Sequence, residues 1–433
     1  INISAGEVIG SPGSTVTVGG VRVLESTLTP SISVALSTPF FTGNPGDRAN
    51  LIDLDVNGNL VAASTSYFTL DPLLLSGPRV RFQPGSAGST TTTATIVSAV
   101  AWTLDGGRPV GPGGTVSVLS NLNIRATGAP RTLNANVSLG SIGSFGFLSL
   151  VAPASSLSVA SVSVGPDGTV AVAANVTINT LTSSGRVFLD EASTLGTALN
   201  TGIISVANIA GGSNVGSLDN FPGGIVSLFN VTPISGTITN SGSLKVAAFA
   251  GQLAGVYIHR AGGQIASTVN GVPLLFTISS ANPAHGFQFP ADFTLTAGAN
   301  LVTRGQAGFT NAATFTLAGG TLTFQNTSFN APHINQGTLT GFGTIDSLNN
   351  NTLTFFFNDG LIKPAGVIDF TDAMVLINRL GTVEITAGNK LGLESGESSF
   401  TNRSLVLLSG GTLGNANTSF TNESAGLTTG FGT

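Results

Sequence analysis

The sequence predicts an all-β protein. Its larger part, 129–433, reads as a parallel β-solenoid, and a smaller β-sandwich-like or irregular β domain, 1–128, precedes it. Three observations predict this. First, the stretch FTNAATFTLAGGTLTFQNTSFNAPHINQGTLTGFG at 309–343 returns, with changes, as FTNRSLVLLSGGTLGNANTSFTNESAGLTTGFG at 400–432. Phe309-Thr310-Asn311 and Phe400-Thr401-Asn402 stand 91 residues apart (400 − 309), as do Thr327-Ser328-Phe329 and Thr418-Ser419-Phe420 (418 − 327). Self-similarity at a fixed step marks a stacked architecture. Second, polar and apolar residues alternate in short runs, as in Thr314-Phe315-Thr316-Leu317 and Thr321-Leu322-Thr323-Phe324 on either side of Gly319-Gly320. Alternation puts every second side chain on one face of a strand. Third, a second Phe follows the first after 20 residues in each copy, Phe329 and Phe420. That length accommodates two short strands and two turns, which bury their apolar face only when equivalent coils stack above and below.

Composition sets the outer bounds. Charged residues are 8% of the 433, far below the roughly 25% of an ordinary soluble domain. The 58 Gly are nearly double the usual share of about 7%. Disorder does not fit, because 41% of residues are hydrophobic and their positions alternate. A membrane-spanning helix does not fit, because no uninterrupted apolar run of about 18 residues occurs. A membrane β-barrel lacks its aromatic girdles, with one Trp and two Tyr in the chain. The 15 Lys and Arg are spread thinly and net charge is −5, which argues against nucleic acid as a partner. With no Cys there is no disulfide or thiolate chemistry. Ile1 in place of Met is the expected mark of a removed signal peptide or of a fragment. Low Lys, no Cys and abundant Thr, Asn and Gly together favour an extracellular surface protein.

Along the chain, Val16, Val18, Val21 and Val23 predict a strand pair across Gly19-Gly20, and Leu51 to Val56 a further strand before the hairpin signal Asn57-Gly58. Arg79 to Phe82 and Thr90 to Val100 alternate as strands, and no coil-length step is visible before about residue 128. From Leu133 the rhythm is regular: Val137 and Leu139, Leu157 to Val164, a turn at Pro166-Asp167-Gly168, then Val170, Val172, Val176 and Ile178. Ile203 to Val206, Ile225 to Phe229 and Leu244 to Val246 continue it, between turns at Gly211-Gly212, Pro222-Gly223-Gly224 and Gly262-Gly263. Asn recurs beside turns, at Asn240 and Asn311, where it would stack as a ladder between coils or simply suit the turn. One segment departs from the pattern: in Asp369 to Gly381, Thr371 and Gly381 read as the two ends of a short helix. A strand through Val375 to Ile377 is the competing reading.

The blocks GGTLTF, QGTLTGFGTID and AGGTL resemble the repeats of bacterial secreted β-helix surface proteins, the autotransporter passengers and filamentous-haemagglutinin-like adhesins. The resemblance spans about 295–433, weakens over 133–295 and is absent before that. It implies a right-handed parallel β-helix outside the cell. The family includes adhesins, scaffolds and enzymes, so it does not by itself give a function.

Candidate sites are few. Asp53, Asp55, Asn57 and Asn59 match the oxygen-ligand run D-x-D-x-N-G of calcium loops, with Asp47 nearby, which makes calcium the one cofactor candidate. Ser64 stands where that loop needs its bidentate Glu, and the competing reading is an Asn-Gly hairpin with exposed Asp. A polysaccharide-cleaving enzyme needs a carboxylate pair. The adjacent Asp190-Glu191 would point to opposite faces of a strand, and Glu394 and Glu397 read as solvated turn charges. Tyr257 and His259 share a face beside Arg260, a surface cluster on the leading reading and a small polar site or substrate contact on the competing one; His285 and His333 stand alone. Glycosylation sequons recur at Asn136, Asn175, Asn230, Asn326, Asn402, Asn417 and Asn422. The chain stops just after the second GFGT, and the expectation drawn is an end that docks head-to-tail onto another copy, with Ile1-Asn2-Ile3 as strand donor, or a protein that continues. The leading functional expectation is therefore a non-enzymatic, self-assembling structural subunit of a fibre, sheath or surface layer. A glycan- or cell-binding adhesin is the alternative, and a polysaccharide-degrading enzyme the second alternative.

Overall fold

The computed structural model describes side chains over 137–433, apart from 141, 143–145, 151, 153–155, 174, 190–192, 207–213, 230–233, 248–252, 326–330, 349–352, 395–397 and 416–417; before Val137 it describes strand backbones alone. No helix occurs among the described residues. The strands stack as parallel ladders, so the solenoid expectation holds over 137–431. The expected boundary at 128/129 and the fold of the preceding domain lie outside the described residues. Residue contacts divide the chain into two compact units, Ile1–Ser217 and Leu218–Thr433.

From Val137 on, the first unit has two parallel ladders. Leu157–Val164, Val176–Ser183 and Thr194–Asn200 succeed one another in one; Gly168–Val172, Arg186–Leu189 and Ile203–Val206 succeed one another in the other. Each coil places its side chains directly beside their equivalents: Val162 beside Leu181 beside Ala198, and Val170 beside Val187 beside Ile204. All six are fully or almost fully buried. Strand alternation thus becomes columns of aliphatic side chains, each Val or Leu contributing about 1.5–3 kcal/mol by burial. The predicted turn at Pro166-Asp167-Gly168 is present, closed by the Gly168 N–H donating to the Gly165 carbonyl at 3.0 Å.

The second unit has three strand segments per coil where the sequence predicts two. The physical reason lies at Gly319-Gly320. This pair reads as a turn, yet Thr314–Asn326 is one strand that bends there. Its first half pairs with Phe293–Thr296 and its second half with Asn300–Gly305. Gly319 sits at φ +88°, where only glycine is unstrained. In the next coil, Gly341 at φ +94° lets Phe342 fold over this corner, with its ring 3.3 Å from where a Gly319 Cβ would stand. Gly410 at φ +84° is covered by Phe431 in the same way. The repeated GG and GFG blocks are therefore the two halves of one corner, contributed by successive coils.

The register explains the repeat offset. Phe309 lies beside His333, followed by Phe356, Leu376, Phe400 and Phe420. The 91-residue offset between Phe309 and Phe400 is four coils, and Phe400 to Phe420 is one. His333, not Phe329, is the neighbour of Phe309; Phe329 lies outside the described residues. The core of this unit is aromatic. Phe289, Phe309, Phe315, Phe324 and Phe356 are fully or almost fully buried, and Phe309 meets Phe315 edge-on at 5.3 Å and 87°, the offset arrangement that ring quadrupoles favour.

The helix reading of Asp369 to Gly381 is corrected. Thr371 ends the strand Leu361–Thr371, and Met374–Asn378 is a strand buried at all five positions. Between them, Asp372 and Ala373 turn the chain at φ +49° and +34°. A left-handed step of this kind resets the strand direction where an N-cap would have begun a helix.

Candidate functional site

The most organised polar feature of the second unit is a column of asparagines inside the coils. Asn311 donates through Nδ2 to Oδ1 of Asn335 at 2.8 Å, Asn335 to Asn358 at 2.7 Å, and Asn358 to Asn378 at 2.8 Å. Asn378 continues to Asn402 at 2.8 Å, and Asn402 to Asn422 at 2.7 Å. Each amide also donates to backbone carbonyls of the adjoining turn: Asn335 to Gly337 and Leu361, Asn358 to Gly360 and Thr382. A buried amide would be costly alone; here each one satisfies the next. The ladder expectation at Asn311 holds, and Asn220 donates to Asn240 at 2.8 Å in the same fashion. The rungs of the longer run stand 24, 23, 20, 24 and 20 residues apart.

Two coils break the column. His259 stands beside Asn240, and Phe289 beside Asn311. Tyr257 and His259 are buried to 0% and 1% exposure, so the surface-cluster reading of this pair is corrected. The Tyr257 hydroxyl accepts from Nδ2 of Asn240 at 3.2 Å and meets Nδ1 of His259 at 3.1 Å. Burial pushes the Tyr257 hydroxyl above its ordinary value. It pushes the His259 imidazole below its own, against a hydrogen bond to the Asp292 backbone carbonyl that favours the charged form. Phe289 and Phe293 enclose the imidazole at 5.6 and 4.9 Å. Arg260 is exposed, its side chain outside.

His333 is fully buried and stacked on Phe324 at 3.8 Å, and burial pushes its imidazole down to about 3. His285 is not alone either: Nδ1 lies 2.7 Å from Oγ of Ser280, and Nδ2 of Asn282 lies 3.2 Å from Nε2. A Ser–His contact is the minimum for an activated nucleophile. Here Ser280 Oγ also accepts the Asn282 backbone N–H, and an amide rather than a carboxylate meets the second ring nitrogen. This is the bonding of a polar turn.

The calcium candidate Asp53, Asp55, Asn57 and Asn59, with Asp47, lies outside the described residues except for the backbone of Asp53 in the strand Asp53–Leu54. Asp190, Glu191 and Glu397 lie outside them too. Glu394 accepts the backbone N–H of Asp372 at 2.6 Å, so it fixes a turn. Among the described residues no three His, Asp or Glu side chains gather as a metal site requires. Of the sequons, Asn402 is fully buried as a rung and is closed to glycosylation in the folded chain, whereas Asn422 is exposed.

The described residues of the second unit line at least two hollows, and sequence reasoning found neither. One of about 490 Å³ is lined by Asp219, Phe221, Thr239, Ser241 and Arg260. The other, about 370 Å³, lies between Ile265-Ala266-Ser267 and Phe293 to Ala297. Only the adjacency of Tyr257, His259 and Arg260 pointed toward this part of the chain. No protein-family model matches the chain. No curated protein matches it either.

Proposed function

We propose that the chain is an extracellular structural protein, a right-handed β-helical subunit of a self-assembling fibre, sheath or surface layer, with no catalysis of its own. The asparagine column carries this reading. From Asn311 to Asn422 each asparagine of the column bonds to the asparagine of the next coil. An interior organised in that way serves rigidity and axial continuation. The resemblance of GGTLTF and QGTLTGFGTID to secreted β-helix surface proteins supports an exported setting, in bacteria. Negative-stain electron microscopy of the concentrated full chain tests the reading. Filaments or sheets are expected, with fibre diffraction at about 4.8 Å along the axis; dispersed particles at every concentration overturn it.

A second reading, a glycan-binding adhesin, draws on the 490 Å³ hollow. Phe221, 42% exposed, offers a ring face there, with Asp219 and Arg260 on the same rim. Glycan-array binding that is lost in Phe221→Ala supports this reading, and an array with no binding removes it.

A further inference from the structure

The second ladder of the Leu218–Thr433 unit opens at one level. Ile225–Leu228 pairs with Ser243–Val246, which pairs with Gln264–Ser267. One coil onward, Phe293–Thr296 pairs with Thr314–Asn326. Among the described residues, Gln264–Ser267 and Phe293–Thr296 have no ladder pairing with each other. The flanking ladders stay closed at this level: Val256 to Ile258 pairs with Gly286 to Gln288, and Leu275–Ser280 pairs with Asn300–Gly305. The 370 Å³ hollow occupies the opening, in the size range of built ligand sites. It reaches from exposed Thr294 and Ala297 down to buried Phe293, Leu295 and Leu274. This is also the level at which His259 and Phe289 replace asparagine in the interior column. Two independent regularities of the solenoid therefore fail at one place.

Two walls of the opening are strand edges, and the connecting segment Gly271 to Leu274 forms a third. Gln264 N–H donates to the Gly242 carbonyl at 2.8 Å and Thr268 N–H to the Val246 carbonyl at 2.9 Å. In a parallel ladder alternate residues face opposite neighbours, so Ile265 and Ser267 direct their N–H and C=O groups toward the opening. An unpaired edge is a template for another strand, and here two parallel edges face one space. No charged side chain lines it, so a charged occupant would lose hydration without compensation.

We propose that this opening is a docking site for an extended, uncharged peptide segment with small apolar side chains at alternate positions. The segment enters parallel to the coils and bonds to the edge of Gln264–Ser267, with its apolar side chains toward Phe293 and Leu295. This goes beyond the structural reading and does not depend on self-assembly.

The test uses the full chain and a fluorescein-labelled hexapeptide alternating Thr and Val, acetylated and amidated, read by fluorescence anisotropy. A second hexapeptide carries N-methyl groups on alternate amides, which remove its strand donors. Saturable binding of the first and at least about tenfold weaker binding of the second are expected. Ser267→Pro deletes an edge N–H and Thr294→Lys places an ammonium at the mouth; each weakens binding by about tenfold with circular dichroism unchanged. Absence of binding by the first peptide overturns the proposal. Equal binding of both peptides overturns strand addition, and binding unaltered by Thr294→Lys places the peptide elsewhere and overturns the site.

Discussion

Replacing one rung of the asparagine column measures what the column contributes. Asn335 is fully buried, accepts from Asn311, and donates to Asn358 and to the carbonyls of Gly337 and Leu361. Asn335→Ala removes this set at once. Net loss is about 1 kcal/mol per hydrogen bond, and the Oδ1 of Asn358, left buried without that donor, adds about 1–3 kcal/mol. With two N–H donors and one accepted bond lost, the expected destabilisation is about 4–6 kcal/mol. A solenoid opens locally, so hydrogen exchange followed by mass spectrometry is the assay of choice, with urea denaturation beside it. Exchange accelerates first at Gly337, Asp359 and Gly360, whose N–H groups bond the carbonyls of Asn311 and Asn335 in the same turn. Asn335→Ala with Asn358→Ala costs less than the sum of the single changes by about 1–3 kcal/mol, because the pair leaves fewer stranded partners. A single substitution within about 0.5 kcal/mol of the parent, or strict additivity of the two, refutes the reasoning.

Other expectations follow from the interior. The His333 imidazole, held down to about 3, stays neutral in the folded chain while the unfolded chain protonates below 6.5. Stability is therefore complete above pH 6.5 and falls by up to about 1.4 kcal/mol per pH unit on descending from there toward pH 3. His333→Leu reduces this slope in urea melts taken across that range; His259, also depressed by burial, retains part of it. Gly341→Ala drives a Cβ into the Leu317 carbonyl oxygen at φ +94° and costs more than about 2 kcal/mol in thermal or urea melts. Gly388→Ala, at φ +79° with open space around it, costs about 1 kcal/mol and separates backbone strain from collision.

Much of the architecture is legible in the sequence because alternation and repetition are direct prints of a stacked sheet. Phe309, Phe400 and Phe420 recur at coil positions, and the turn-flanking Asn240 and Asn311 are rungs. The third strand segment was hidden because Gly319-Gly320 has the composition of a turn but serves as a bend within Thr314–Asn326. Asp369 to Gly381 carried helix-end residues, yet Met374–Asn378 is apolar enough to be taken inside as a strand. Tyr257 and His259 read as surface residues in the sequence because polar side chains usually are; Asn240 supplies the partner that lets them go inside. The opening beside Phe293 leaves no print, since it arises from how two coils meet.

The unequal spacing of the rungs has a practical meaning. Coils of 20, 23 and 24 residues all return the chain to the same interior amide. The inward frame does not register the difference in length. A few residues added between two rungs therefore leave the column in place, and a whole coil can be duplicated or deleted from asparagine to asparagine. The molecule is in this sense a ruler whose divisions are fixed while their decoration is free.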